Sequence, residues 1–260
     1  MYIRRDFRNH TFEEALSCGP ETLAEKYDLI PVEASEFARV FKFTVEFSGF
    51  SRQVFYKEYL CRSIWDFIKH IFRPSRAGRA FRAGLMVQQN GFNVPEVVAF
   101  GEEGNVFVGR RNFLLTMEVQ DTKQLSVCLS DYNRDLATED LKDKRQLIRA
   151  FGQTIGRMHA AGIFHGDLRL GNILVRRNSS GWNFYFLDNE RTQNFTQLPD
   201  RLRLKNLVQV NMFRKGINNF DRLRFLKAYL AENPAIVPLQ KYWAKKIINK
   251  TNKRLLNKNN

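Results

Sequence analysis

The chain has 260 residues and 43% apolar content, 23 Phe among them, which is enough for one large domain or two small lobes around a real core. No apolar run approaches the roughly 20 residues of a membrane span, and the N-terminus meets Glu13 and Glu14 before any apolar stretch, which argues against a secretory signal. With 42 Lys and Arg against 27 Asp and Glu, the net charge of +15 points to an anionic partner: nucleic acid, lipid head groups or phosphorylated sugars.

In chain order, residues 40–60 are rich in β-branched and aromatic side chains and break at Gly49, which predicts a strand, a turn and a second strand carrying Lys57. Ser63 is placed to cap a helical region from Ile64, interrupted near Pro74, resuming to about Asn90 and ended by Gly91. Residues 94–119 predict further strands, with turns at 102–105 and 110–112. Residues 143–161 put Leu147, Ile148, Phe151, Ile155, Met158 and His159 on one face of a helix. A short loop follows, then Ile173–Val175 and Phe184–Leu187 as a hairpin bent through Asn178–Gly181; beyond about residue 200 the chain reads as helical. Strands first and helices later predict an α+β fold of two lobes, a sheet-rich one over 1–119 and a helical one over 120–260, with a cleft between them. Cys18, Cys61 and Cys128 are widely separated and form no Cys-x-x-Cys pair or Cys/His cluster, so they read as reduced thiols.

The chemistry sits after the long helix, in His165-Gly166-Asp167-Leu168-Arg169-Leu170-Gly171-Asn172, followed by an apolar strand that ends in Asp188. Singly, such Asp and Asn residues cap turns. In this order they resemble the protein-kinase-like superfamily, whose catalytic loop H-x-D-x-x-x-x-N precedes an apolar strand with a metal-binding Asp. The resemblance implies a bilobal kinase fold and a phosphoryl transfer from ATP with Mg2+, a reaction that is mostly positioning and charge neutralisation. Asp167 is then the group that orients the acceptor hydroxyl and takes its proton. Asn172 and Asp188 are the oxygen ligands of magnesium, Arg169 neutralises charge on the transferring phosphate, and His165 buttresses the loop. Lys57, in an apolar strand, matches the Lys that grips the nucleotide phosphates, and Glu118 and Gln120 fall where a hinge offers backbone groups to adenine. Three features depart from an ordinary protein kinase: Phe47-Ser48-Gly49-Phe50-Ser51 replaces the Gly-rich loop, residues 75–90 contain no carboxylate, and Asn189-Glu190 follow the metal Asp.

Further stretches sharpen the resemblance: Phe72-Arg73-Pro74-Ser75-Arg76-Ala77, Arg79-Ala80-Phe81-Arg82, Gly91-Phe92-Asn93-Val94-Pro95, Leu187 to Thr192, Lys205-Asn206-Leu207-Val208-Gln209 and Asp221 to Leu230 are similar to the lipopolysaccharide kinase family over roughly residues 40–232. That family implies phosphorylation of a heptose or Kdo sugar of the lipid A–core, an anionic glycolipid, at the cytoplasmic face of a bacterial inner membrane. The charge fits. Arg73, Arg76, Arg79 and Arg82 recur every third residue, as a solvated stripe or as a glycolipid surface. Lys241–Asn260 carries seven Lys and Arg, no acid, and interleaved apolar residues, as a frayed tail or as a contact with an anionic membrane surface. No nucleic-acid-binding module is visible, so nucleic acid is not expected. Two other readings stay open: a small-molecule kinase of the aminoglycoside phosphotransferase type, disfavoured by the positive charge, and a nucleotide-binding pseudokinase that acts as an interaction module.

Overall fold

The structure is a computed structural model, and it describes residues 1–47, 50–60, 74–103, 111–132 and 138–259. Cys61, the predicted helix start at Ser63 and Ile64, Phe72-Arg73, the centre of the Gly-rich-loop substitute at Ser48-Gly49 and the far side of the turn at 102–105 lie outside the described residues. The chain forms two compact units, Met1–Leu85 with Pro95–Gln120, and Met86–Val94 with Asp121–Asn260.

The first unit is built on six antiparallel strands: β1 (Tyr2–Ile3), β2 (Ile30–Val32), β3 (Ala38–Phe47), β4 (Phe50–Tyr59), β5 (Val97–Glu103) and β6 (Arg111–Met117), in the order β1-β5-β6-β4-β3-β2. The predicted pair around Gly49 is β3 and β4, and Val54 and Tyr56 alternate inward from β4, as a half-buried strand requires. Two helices not predicted from the sequence precede this pair, α1 (His10–Cys18) and α2 (Pro20–Lys26). Asn9 caps α1 by accepting the Phe12 N–H at 2.7 Å, and Phe12, Leu16 and Leu23 join Phe43, Val54, Tyr56, Phe113 and Leu115 in one core. Tyr56 and Phe113 stack at 5.1 Å across β4 and β6.

The helix predicted up to Asn90 is α3 (Arg76–Gln89), with Gly91 at φ +81° closing it. The turn expected at 110–112 is not there, because Arg111 and Asn112 belong to β6; Asn112 is buried, and its Oδ1 accepts the Ala77 N–H at 3.1 Å in the first turn of α3. Nor is the arginine series one exposed stripe. Arg76 is buried, donates to the Phe37 carbonyl at 3.0 Å and packs over the Tyr59 ring at 4.8 Å, whereas Arg82 is exposed.

The second unit is mainly helical: α4 (Leu125–Asp131), α5 (Thr138–Ala160), α6 (Asp200–Asn211), α7 (Asn219–Ala231) and α8 (Gln240–Asn259). Short strands are set among them, β7 (Lys123–Gln124), β8 (Ile163–Phe164), β9 (Ile173–Asn178), β10 (Gly181–Phe186) and β11 (Gln193–Asn194). The apolar face predicted for 143–161 is buried in α5, from Leu147 to His159. There α7 runs so close that a Cβ on Gly156 would stand 2.8 Å from the Tyr229 carbonyl oxygen. The basic C-terminal segment is no frayed tail. It is helix α8, seated through Trp243, Ile247 and Thr251 one turn apart, with Asn211 Nδ2 donating to Thr251 Oγ1 at 2.9 Å. Among the described residues, no helix is long and apolar enough to cross a membrane.

Candidate active site

The hairpin of β9 and β10 decides what stands next to what in the second unit. Its register pairs Asn178 with Gly181 and Ile173 with Phe186, so the residue before β9 and the residues after β10 leave the ladder side by side. Asn172 and Leu187 are those neighbours, joined by the Leu187 N–H donating to the Asn172 carbonyl at 2.9 Å. Asp188 follows directly, in the left-handed region at φ 55° and ψ 51°. Few non-glycine residues sit there, though Asp is among the tolerant ones, and the cost is about 1 kcal/mol or more. A tight turn then runs through Asn189, whose Nδ2 donates to the Phe186 carbonyl at 2.8 Å.

The loop after β8 turns back on the same place. The fully buried His165 accepts the Asp167 N–H on Nδ1 at 3.2 Å, which leaves the proton on Nε2 to be donated to the Leu187 carbonyl at 3.0 Å. Burial pushes the His165 imidazole below its usual pKa, in keeping with that neutral tautomer. The side chain thus ties the Asp167 loop to the residue before Asp188, the buttress expected of it. Gly166 is required by the same packing, since a Cβ there would stand 2.7 Å from the Arg191 backbone.

Asp167 is partly exposed, and both of its carboxylate oxygens have donors. Asn172 Nδ2 donates to Oδ2 at 3.1 Å and to the Asp167 carbonyl at 3.0 Å. Oδ1 takes Arg169 Nε at 2.8 Å and Gln209 Nε2 at 3.2 Å. With Nδ2 of Asn172 committed to Asp167, its Oδ1 is the end of the amide left for a further ligand. A hard cation such as Mg2+ binds through one or two carboxylates together with phosphate oxygens and water. The oxygen donors of Asn172 and Asp188, at adjoining ends of one hairpin, fit that requirement. Arg169 is mostly exposed, and its guanidinium lies against Asp167.

Of the residues predicted for nucleotide binding, Lys57 lies on β4 opposite Val40 and Leu114, with its ammonium 5.0 Å over the Tyr59 ring. Glu118, just past β6, uses its N–H on the Gln53 carbonyl at 2.9 Å and its carboxylate on Lys42 at 2.8 Å, so its own carbonyl is what it has left to offer. Gln120 is exposed at the end of the first unit. The second unit therefore assembles Asp167, Arg169, Asn172 and Asp188, while the first holds Lys57, Glu118 and Gln120.

One contact with Asp167 was missed in the sequence. Asn206 and Gln209 stand one turn apart on α6, inside the Lys205–Gln209 stretch, where their spacing alone assigns no role. Asn206 accepts the His165 N–H on Oδ1 at 3.2 Å and donates from Nδ2 to the His165 carbonyl at 2.6 Å. It brackets the backbone of the loop in that way.

A sequence profile of the Lipopolysaccharide kinase (Kdo/WaaP) family matches residues 31–229. The lipopolysaccharide core heptose(I) kinase WaaP of Escherichia coli is 29% identical over 200 residues, covering 72% of this chain and 74% of that protein. The 3-deoxy-D-manno-octulosonic acid kinase of Actinobacillus succinogenes is 29% identical over 161 residues, covering 60% of this chain and 63% of that one. Among solved structures, WaaP in complex with acyl carrier protein superposes with a TM-score of 0.64 at 22% identity, over 97% of this chain and 99% of that one. That likeness shows the α+β, protein-kinase-like fold.

Proposed function

The chain belongs to the lipopolysaccharide kinase (Kdo/WaaP) family, and from that premise we propose that it transfers the γ-phosphoryl group of ATP to a hydroxyl of a heptose or Kdo sugar in the lipopolysaccharide core. The observation that carries this reading is the Asp167 carboxylate, partly exposed and held by Asn172 and Gln209 beside the strand end that leads to Asp188.

Asp167 accepts the proton of the acceptor hydroxyl on a carboxylate oxygen and aims the hydroxyl oxygen at phosphorus, a role worth about 10²–10⁴ in rate. Asn172 and Asp188 would hold Mg2+, which would supply neutralisation of charge on the phosphate oxygens. Arg169, on an exposed site against Asp167, neutralises charge on the transferring phosphate. Lys57 on β4 takes the nucleotide phosphates, and the backbone of Glu118 to Gln120 takes the base. The substrate is an anionic glycolipid, met at the cytoplasmic face of the inner membrane. The Lys side chains exposed along α8, with Tyr242 and Ile248 between them, are the surface that meets the anionic lipid. Acyl carrier protein, with which a solved WaaP forms a complex, is proposed as a partner here as well.

The test is transfer of label from [γ-32P]ATP with Mg2+ to purified core lipopolysaccharide. Label should enter the glycolipid with wild type and fall about 10²–10⁴-fold with Asp167→Ala at unchanged melting temperature. Undiminished transfer by Asp167→Ala ends the reading, and label entering an aminoglycoside instead would replace the substrate. Co-elution with acyl carrier protein, and sedimentation with vesicles containing anionic lipid, check the two partners separately.

A further inference from the structure

We propose that Gln209, held in turn by Asn206, is a positioning residue for the Asp167 carboxylate; the inference rests on Asp167 acting on the acceptor hydroxyl. The loop from His165 to Asn172 has no ladder of its own; within it Asn172 and the exposed Arg169 donate to the Asp167 carboxylate, and a further donor comes from outside it. The side chain of Gln209 reaches in from α6 and divides its amide between two tasks. Nε2 donates to Asp167 Oδ1 at 3.2 Å, while Oε1 accepts the Leu168 N–H at 3.4 Å and Asn206 Nδ2 at 2.9 Å.

The direction of that amide is not a free choice. Asn206 is fully buried between the N–H and the carbonyl of His165, and only one orientation of its own amide satisfies both. A reversed Asn206 would set oxygen against oxygen and nitrogen against N–H. Behind it, His159 Nε2 donates to the same Oδ1 at 3.2 Å. His159 is oriented by Tyr229, whose hydroxyl lies 2.9 Å from Nδ1 and accepts Arg203 Nη1 at 2.5 Å. Each group in this series can point only one way, so Asn206 presents a donor to Gln209, Gln209 answers with oxygen, and its nitrogen is left to face Asp167. With Gln209 on Oδ1 and Asn172 on Oδ2, the carboxylate is gripped at both oxygens. A general base needs that constraint, because a displacement of about 1 Å at a reacting group costs on the order of 100-fold in rate.

The proposal separates from a merely structural role by where the loss falls. Gln209→Leu in the full chain should lower kcat about 10–100-fold. KM for ATP, and nucleotide affinity measured by calorimetry, should stay within about two-fold, since Lys57 and Asp188 are untouched. In an Asp167→Asn background the same substitution should add no more than about two-fold, because both changes act through one group. Gln209→Glu keeps the oxygen that Leu168 and Asn206 need and removes the donor to Asp167. It should lose kcat as Gln209→Leu does, and it serves as the variant of record if Gln209→Leu fails to fold. Unchanged kcat in either folded variant, a parallel change in KM and nucleotide affinity, or an equal loss with and without Asp167 would each overturn the proposal. Full activity in Asp167→Ala would instead overturn the assignment of Asp167 itself.

Discussion

In the six-stranded sheet of the first unit, backbone groups satisfy one another along the ladders, and the side chains contribute shape. Phe12, Phe43, Tyr56, Phe113 and Leu115 fill a core in which a neighbouring apolar residue of similar volume would serve nearly as well. Around Asp167 the balance is reversed. Residues 165–172 form no ladder, and their backbone and charge are held by the imidazole of His165 and the amides of Asn172, Asn206 and Gln209. One region is specified by volume and the other by donors and acceptors, so near-isosteric substitutions should separate them.

The sharpest break of that contrast is Asn206→Asp, which keeps the shape and removes the donor to the His165 carbonyl and to Gln209. A buried carboxylate then faces two oxygens, and destabilisation of about 3 kcal/mol or more is expected from urea unfolding. A loss under about 1 kcal/mol would mean that the network does not hold the loop.

Acid should act on the same side of the contrast. Burial, with the Arg203 charge adding to it, lowers the His159 pKa from 6.5 to about 3. The unfolded chain therefore binds a proton that the folded chain refuses. Its stabilising contribution is fully present above pH 6.5 and is lost as pH falls from there toward 3, at about 1.4 kcal/mol per pH unit. His165, also depressed by burial, adds in the same direction. Between pH 7.5 and 5.5, amide protection corrected for intrinsic exchange should drop in β8 and the following loop before it drops in β4 and β6. Uniform loss across both units would defeat this.

Smaller effects test the first unit. Leu115→Met, in the middle of β6 and fully buried, should cost less than about 1.5 kcal/mol. Glu118→Gln, which breaks the half-exposed pair with Lys42, should change stability by less than about 1 kcal/mol. A larger penalty from either would show that this sheet, too, depends on particular polar pairings or an exact fit.

The same contrast explains what was readable beforehand. His165, Asp167, Asn172 and Asp188 stand out because their chemistry restricts residue type at fixed spacing, and the β9–β10 hairpin could be read from its apolar runs and turn residues. Helices α1 and α2 left no such mark, because a short amphipathic stretch becomes helical only when a sheet offers it a core. Arg76 read as surface charge and is buried, since nothing local announces the Phe37 carbonyl and the Tyr59 ring that receive it. The Lys-rich end read equally as a frayed tail or as a contact with an anionic membrane surface, and not as an element packed on the protein. Trp243, Ile247 and Thr251 had the right spacing for a seam, but only α6 gave the seam something to pack against.

By itself the sequence determined the α+β class, the family, the order of the candidate site residues and the excess of positive charge. Each of these is carried by residue type and short-range spacing, which a linear chain records. Only the tertiary structure decided that α6 delivers Asn206 and Gln209 to a loop some forty residues earlier in the chain. A hydrogen bond needs its partners within about 3 Å, and that proximity is a product of packing which no local pattern encodes.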